Sequence, residues 1–304
     1  MGSLHDANKV TFYLIILLVF KIFEYFITDK LNIKKIIFLF LCSIMIIFCD
    51  GKSVILSFLI GLVFYSLIML KSNIFKNKLL IKILIVMFVF MIINLDFFVN
   101  NYFEFFYGTS MSIKSFIENF SSLENFSNKY LFYNRIFLDM FNENKLIWIF
   151  GTGPGTLGSR ASNFLSYDTI YTQSKNIVEI FILPKTSYWV KIYLADLWTE
   201  DIVNNVKWHS AVLTYPFSGI NSLKAEIGLV GIVFYIGIIF LIIQKLFNNF
   251  FFEKELLIKK IILTLTLVFI TIPILLLFDN YQEQPQIMIP LFLISSFILK
   301  KKIN

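Results

Sequence analysis

The chain has 304 residues, 58% of them apolar and 15% charged, with a formal net charge of +7 and a mean hydropathy of +0.76. Soluble domains carry about 45–50% apolar and about 25% charged residues, and disordered chains are poor in apolar ones. A soluble enzyme is therefore disfavoured and disorder is excluded. Two Cys and two His cannot build a disulfide scaffold, a zinc ribbon or a His-rich metal site. What remains is a polytopic membrane protein. Its pI of 9.2 is what Lys-rich cytoplasmic loops give, with no nucleic acid partner needed.

A helix needs about 20 mostly apolar residues to cross a bilayer, within a range of about 17–25. Seven segments are candidates in chain order: 11–28, 36–50, 53–70, 80–99, 223–244, 259–278 and 286–299. The second and last are short, and Lys at their ends can snorkel to extend them. The expected fold is all-α, with about seven transmembrane helices and one large extracytoplasmic loop. Three regions follow: four helices in 1–99, the loop with its amphipathic helices in 100–222, and three helices in 223–304.

Lys positions orient the bundle. Alternate connections hold Lys30, Lys34 and Lys35; Lys71, Lys76, Lys78 and Lys82; Lys245, Lys254, Lys259 and Lys260; and Lys300, Lys301 and Lys302. The positive-inside rule makes these connections cytoplasmic. The N-terminus and the long loop then lie outside and the C-terminus inside. Met1 to Asn8 is polar and has no basic stretch before the apolar run, so it is not a signal peptide. A chain that starts outside normally has an earlier span to carry it there. The expectation is that this chain is the C-terminal part of a larger membrane protein. Ionisable residues within spans are few. Lys21 and Glu24 are one turn apart and are expected to pair, and no row of charges marks an ion path.

The external loop holds both Arg of the chain, Arg135 and Arg160, against 25 Lys. Arg offers a planar, always-charged fork that grips phosphate oxygens in pairs. Surface Arg paired with carboxylates is the plainer reading. Residues 128–144 have helical periodicity, with Arg135 four residues before Asp139 as a plausible ion pair. This helix is expected along the membrane surface.

Gly151-Thr152-Gly153-Pro154-Gly155 makes a tight turn whose backbone N–H groups can approach an anion closely. It is neither a dinucleotide fingerprint nor a P-loop, and a structural turn remains the alternative. Trp148, Trp189, Trp198 and Trp208 all lie in this loop, as an interfacial belt or as platforms for sugar faces. His209 follows Trp208 and has the side chain best suited to proton transfer near neutral pH.

Four features then resemble the bacterial O-antigen and capsular polysaccharide polymerases, the Wzy-type membrane glycosyltransferases related to the O-antigen ligases. They are the opening Gly2-Ser3-Leu4-His5-Asp6-Ala7-Asn8; Gly51-Lys52-Ser53 between two closely joined spans; the Gly151–Thr156 turn; and Ala225-Glu226-Ile227-Gly228-Leu229-Val230-Gly231, similar to that family's Glu-x-Gly-x-x-Gly. Fifteen residues intervene between Arg135 and Gly151, similar to the family's Arg-to-Gly spacing. The likeness runs along nearly the whole chain in order. The chain departs from the ligases in lacking a His-Asn pair shortly before Glu226. It departs from the wider family in carrying Lys52 where Arg is usual.

The resemblance implies a GT-C-like fold in the bacterial cytoplasmic membrane. It implies transfer of a glycan from undecaprenyl pyrophosphate to a sugar hydroxyl of another lipid-linked repeat unit. Arg135, Arg160, His209 and Glu226 are the expected catalytic residues. Lys52, Gly151, Gly153, Gly155 and Trp208 are the expected substrate contacts. No cofactor or metal is implied. The implied partners are the lipid-linked glycans, the bilayer, and a flippase and chain-length regulator. Rival readings are a ligase, a lipid-linked sugar transporter or flippase, and a non-catalytic scaffold.

Overall fold

The computed structural model describes residues 7–28, 37–39, 41–42, 45–46, 52–71, 128–159, 161–162, 166, 187–197, 218–278 and 285–300. Among these, all regular structure is helical. The span expected at 80–99, most of that at 36–50, and Arg160, Trp198, Trp208 and His209 lie outside the described residues. The chain forms two compact units. One comprises Met1–Phe98, Gly237–Leu275 and Pro285–Asn304; the other comprises Val99–Ile236 and Leu276–Gln284.

The first unit is built from helices without polar faces. α1 is Ala7–Thr28 and α2 is Lys52–Lys71. Phe12 meets Phe58 and Phe23 meets Tyr65, so early residues pair with early ones and late with late: α1 and α2 run parallel.

The long helix α7, Gly219–Phe252, ends in this unit. α8, Leu256–Phe278, and α9, Pro285–Lys300, form an antiparallel pair in which Phe269 meets Phe292. Gly61 of α2 faces Thr271 of α8, where an added Cβ would come within 2.8 Å of the threonine methyl. α7 and α8 are long and apolar enough to cross a membrane, the latter over Leu256–Leu277.

Polar groups in these helices are satisfied close to home, as an apolar surrounding requires. Ser57, Thr264, Thr266, Thr271 and Ser295 each donate to the carbonyl four residues back. Glu24 accepts from Lys21 at 3.0 Å, as the spacing predicts, and also lies 3.7 Å from Lys260 of α8.

The second unit contains the helix expected over 128–144. It runs as α3 (Asn128–Asn134), a π-helical turn (Arg135–Asp139) and α4 (Met140–Glu143). Asn144 then caps α5 (Lys145–Phe150), its side chain accepting from the Leu146 and Ile147 amides at 3.1 and 3.2 Å. Such a cap satisfies amides that the first helical turn leaves orphaned. α6 (Tyr188–Tyr193) is followed by a 3₁₀ turn, Ala195–Leu197. A core of Phe132, Ile136, Met140, Leu157, Val190, Tyr193, Leu194, Leu197 and Ala225 ties these pieces to the start of α7.

Candidate functional site

The site is a joint between the glycine turn and a break in α7. At Gly228 the chain leaves helical geometry, with φ +68° and ψ −170°, before the helix resumes. A break frees carbonyls that the next turn would have used, and in an apolar setting each needs a new donor. The glycine turn supplies them. The Thr152 amide (2.8 Å) and hydroxyl (3.0 Å) donate to the Ala225 carbonyl, and the Gly153 amide donates to that of Glu226 at 3.0 Å.

Two glycines make this approach possible. A Cβ on Gly228 would stand 2.1 Å from the Ile149 carbonyl oxygen. One on Gly151 would stand 2.3 Å from that of Glu226. Both have φ in the left-handed region, +68° and +83°, which side-chain-bearing residues adopt only at a cost. Gly231 has a plainer reason, since a Cβ there would meet its own helix's Ile227 side chain at 2.3 Å.

The turn does hold an anion on its backbone amides, and that anion belongs to the protein. The Glu226 carboxylate accepts from the Gly155 amide at 2.8 Å on Oε2. On Oε1 it accepts from the Leu157 and Ser159 amides, both at 3.3 Å. Successive backbone N–H groups converging on one carboxylate are a nest. Glu226 and the Gly151–Gly155 turn, read separately in the sequence, are thus one structure. Ser222 adds a tie by donating to the Gly158 carbonyl at 2.6 Å.

Arg135 also uses its fork on a protein carboxylate. Its Nη1 and Nη2 donate to the two oxygens of Asp196 at 2.5 and 2.7 Å, and Nη1 also reaches the Tyr193 carbonyl at 3.1 Å. The partner is therefore Asp196 on the 3₁₀ turn rather than the expected Asp139. Hydrogen bonding to Asp196 holds the guanidinium's pKa above its usual value, with Asp139 adding a smaller push through space. The same bonds hold the Asp196 carboxyl below the usual range. Nearby, the Tyr193 hydroxyl donates to Glu143. Burial, and then that carboxylate, raise the Tyr193 pKa.

The described Trp side chains are committed inside the unit. Trp148 donates its indole N–H to the Phe137 carbonyl at 3.0 Å and meets Phe141 edge to face. The fully buried Lys224 places Nζ 4.1 Å from the centre of the Trp148 ring and donates to the Trp148 carbonyl. That amine both caps the end of α5 and forms a cation–π contact. Trp189 stacks on Tyr193. Both rings pack against the core of this unit and stay half-buried.

Of the sequence-selected residues, Glu226, Gly151, Gly153 and Gly155 come together in the joint. Arg135 lies in the same unit on a separate ion pair. Lys52 is the first residue of α2, in the other unit. Lys224 and Asp196 were not selected from the sequence. Lys224 lies two residues before the motif glutamate, and nothing local distinguishes Asp196 from other loop carboxylates.

No protein-family model, curated protein or solved structure matches the chain. The class defined here, among the described residues, is a helical protein with two helices long and apolar enough to cross a membrane, one of them broken at Gly228 and braced by a glycine turn.

Proposed function

We propose that the chain is a multi-pass membrane glycosyltransferase that polymerises undecaprenyl-pyrophosphate-linked repeat units into surface polysaccharide. In this reading about seven helices cross the bacterial cytoplasmic membrane and the long loop faces outward. One observation carries the reading. The two motif-like segments of the resemblance, Gly151–Gly155 and Glu226–Gly231, have interlocking geometries. Each residue of the Glu-x-Gly-x-x-Gly pattern thereby has a physical task.

In the reaction the acceptor hydroxyl oxygen bonds to the donor's anomeric carbon as the bond to pyrophosphate breaks. The bonding pair leaves on the pyrophosphate and the hydroxyl proton passes to a base. Preorganised cations stabilise the charge growing on the leaving group, typically by about 3–4 kcal/mol per donor. We assign that role to Arg160. Arg135 is a positioning residue, because its fork is occupied by Asp196. Glu226 already accepts three amide N–H groups and is assigned as the clamp of the glycine turn. His209 is then the proton acceptor.

The test is a glycan profile of the host lacking this gene, complemented with wild type or with Arg160→Ala. A polymer ladder restored by wild type, with single capped repeats from Arg160→Ala, supports the proposal. Polymer that accumulates on the lipid carrier but never reaches its final acceptor points to a ligase. A profile unchanged by wild-type complementation refutes the assignment.

A further inference from the structure

Beyond its first residue, Lys145, α5 is apolar on every side, but protein covers only half of it. Ile147 and Trp148 pack on the core of the second unit. Leu146 and Phe150, one turn apart on the opposite face, are 68% and 64% exposed. A helix apolar all round belongs in a core or in a membrane. The exposed face continues in two directions. Phe141 lies beside α5 through Trp148. At the other end, the Ile149 carbonyl abuts Gly228, where α7 presents Val230, Val233 and Phe234 to the outside, the last two 64% and 70% exposed.

We infer that α5 inserts its Leu146–Phe150 face into the lipid leaflet at the Gly219 end of α7, which seats the glycine joint at headgroup level. Three observations favour lipid as the occupant. The face is continuous with a helix long and apolar enough to cross a membrane, whose most apolar stretch is only 17% buried. Within this unit, α7 continues past the joint with Leu229, Val230, Val233, Phe234 and Ile236 all exposed. At the rim, the exposed Lys145 leads α5 and lies over the Phe141 ring at 5.6 Å. There its amine can reach lipid phosphates while its stem stays apolar. Under the proposed function, the joint would stand at the depth of the donor's pyrophosphate. The membrane contact itself does not depend on that function.

The test uses the full chain in phosphatidylcholine–phosphatidylglycerol vesicles. An environment-sensitive fluorophore is placed at Leu146→Cys, and separately at Phe150→Cys, with Cys42 and Cys49 replaced by Ser. Lys191→Cys on the exposed side of α6 is the water-facing control. The expected result is blue-shifted emission at 146 and 150, quenched by lipids spin-labelled in the acyl chain and insensitive to iodide, with iodide quenching at 191. Iodide quenching at 146 and 150 overturns the inference. Emission that neither quencher reaches also overturns it, and points to coverage by protein. The wild-type chain gives a second readout. A photoactivatable acyl chain should crosslink within 145–150, and crosslinks confined to α7 overturn the assignment.

Discussion

Removing the Glu226 carboxylate should release the glycine turn. It satisfies the amides of Gly155, Leu157 and Ser159, at 2.8, 3.3 and 3.3 Å. Hydrogen bonds to a charged group contribute about 1.5–3 kcal/mol each when well formed. The two longer ones lie just beyond the usual range of about 2.7–3.2 Å and count at the low end or below it. Glu226→Ala should therefore cost on the order of 3–5 kcal/mol. Glu226→Gln keeps one acceptor oxygen but turns its NH₂ toward an amide donor. It should cost roughly half as much and release the Gly155 amide if the remaining oxygen serves Leu157 and Ser159. Amide hydrogen exchange in nanodiscs reads each position directly. Exchange at 155, 157 and 159 should accelerate in Glu226→Ala, while Trp148, inside α5, keeps its protection. Unchanged exchange at all three amides would show that the carboxylate does not hold the turn.

The other predictions test the joint and its neighbour. Gly228→Ala should be among the most damaging single changes. Its Cβ meets backbone 2.1 Å away, beyond the roughly 1–2 kcal/mol of a left-handed residue alone. Gly237→Ala, with nothing within 4 Å of its Cβ in the same helix, should stabilise by up to about 1 kcal/mol. Thermal denaturation of the two variants side by side checks both, and equal effects would refute the account of the break. A double-mutant cycle on Arg135→Ala and Asp196→Asn should give a coupling of about 0.2–1 kcal/mol, because the Asp196 side chain is 63% exposed. The Asp196 carboxyl is depressed in the folded state. Its contribution is thus fully present above the unfolded value of about 3.9 and is lost as pH falls through the lower folded value. A coupling that persists after Asp196 is protonated would contradict the pairing. If Arg135 is a positioning residue, Asp196→Asn should reduce polymer formation in the same direction as Arg135→Ala. An Asp196→Asn variant with full activity would free Arg135 for another role.

Much of the helical framework was legible in the sequence, because hydropathy and periodicity are properties of neighbouring residues. Composition alone pointed to the membrane. Apolar runs located α1, α2, α8 and α9 to within a few residues, and the 3.6-residue pattern found the helix over Asn128–Glu143. The Lys21–Glu24 pair followed from one-turn spacing. The fifth apolar run was found, but not the break inside it. A glycine in an apolar helix reads the same whether it continues the helix or interrupts it.

The site's partnerships were decided only by the tertiary structure. Sequence chemistry identified a glycine turn suited to an anion and an arginine fork suited to two oxygens. Which anion fills the turn depends on Glu226, 71 residues from Gly155. What fills the fork depends on Asp196, 61 residues from Arg135. Locally, Asp139 was an equally good partner and pyrophosphate an equally good occupant. The packing of Phe132, Ile136, Leu157, Leu197 and Ala225 into one core brings these distant groups within reach. At the joint, burial then fixes the choice, because a carbonyl or carboxylate withdrawn from water must take the donor that the fold places beside it, whereas the exposed Asp196 pairs with Arg135 by proximity alone.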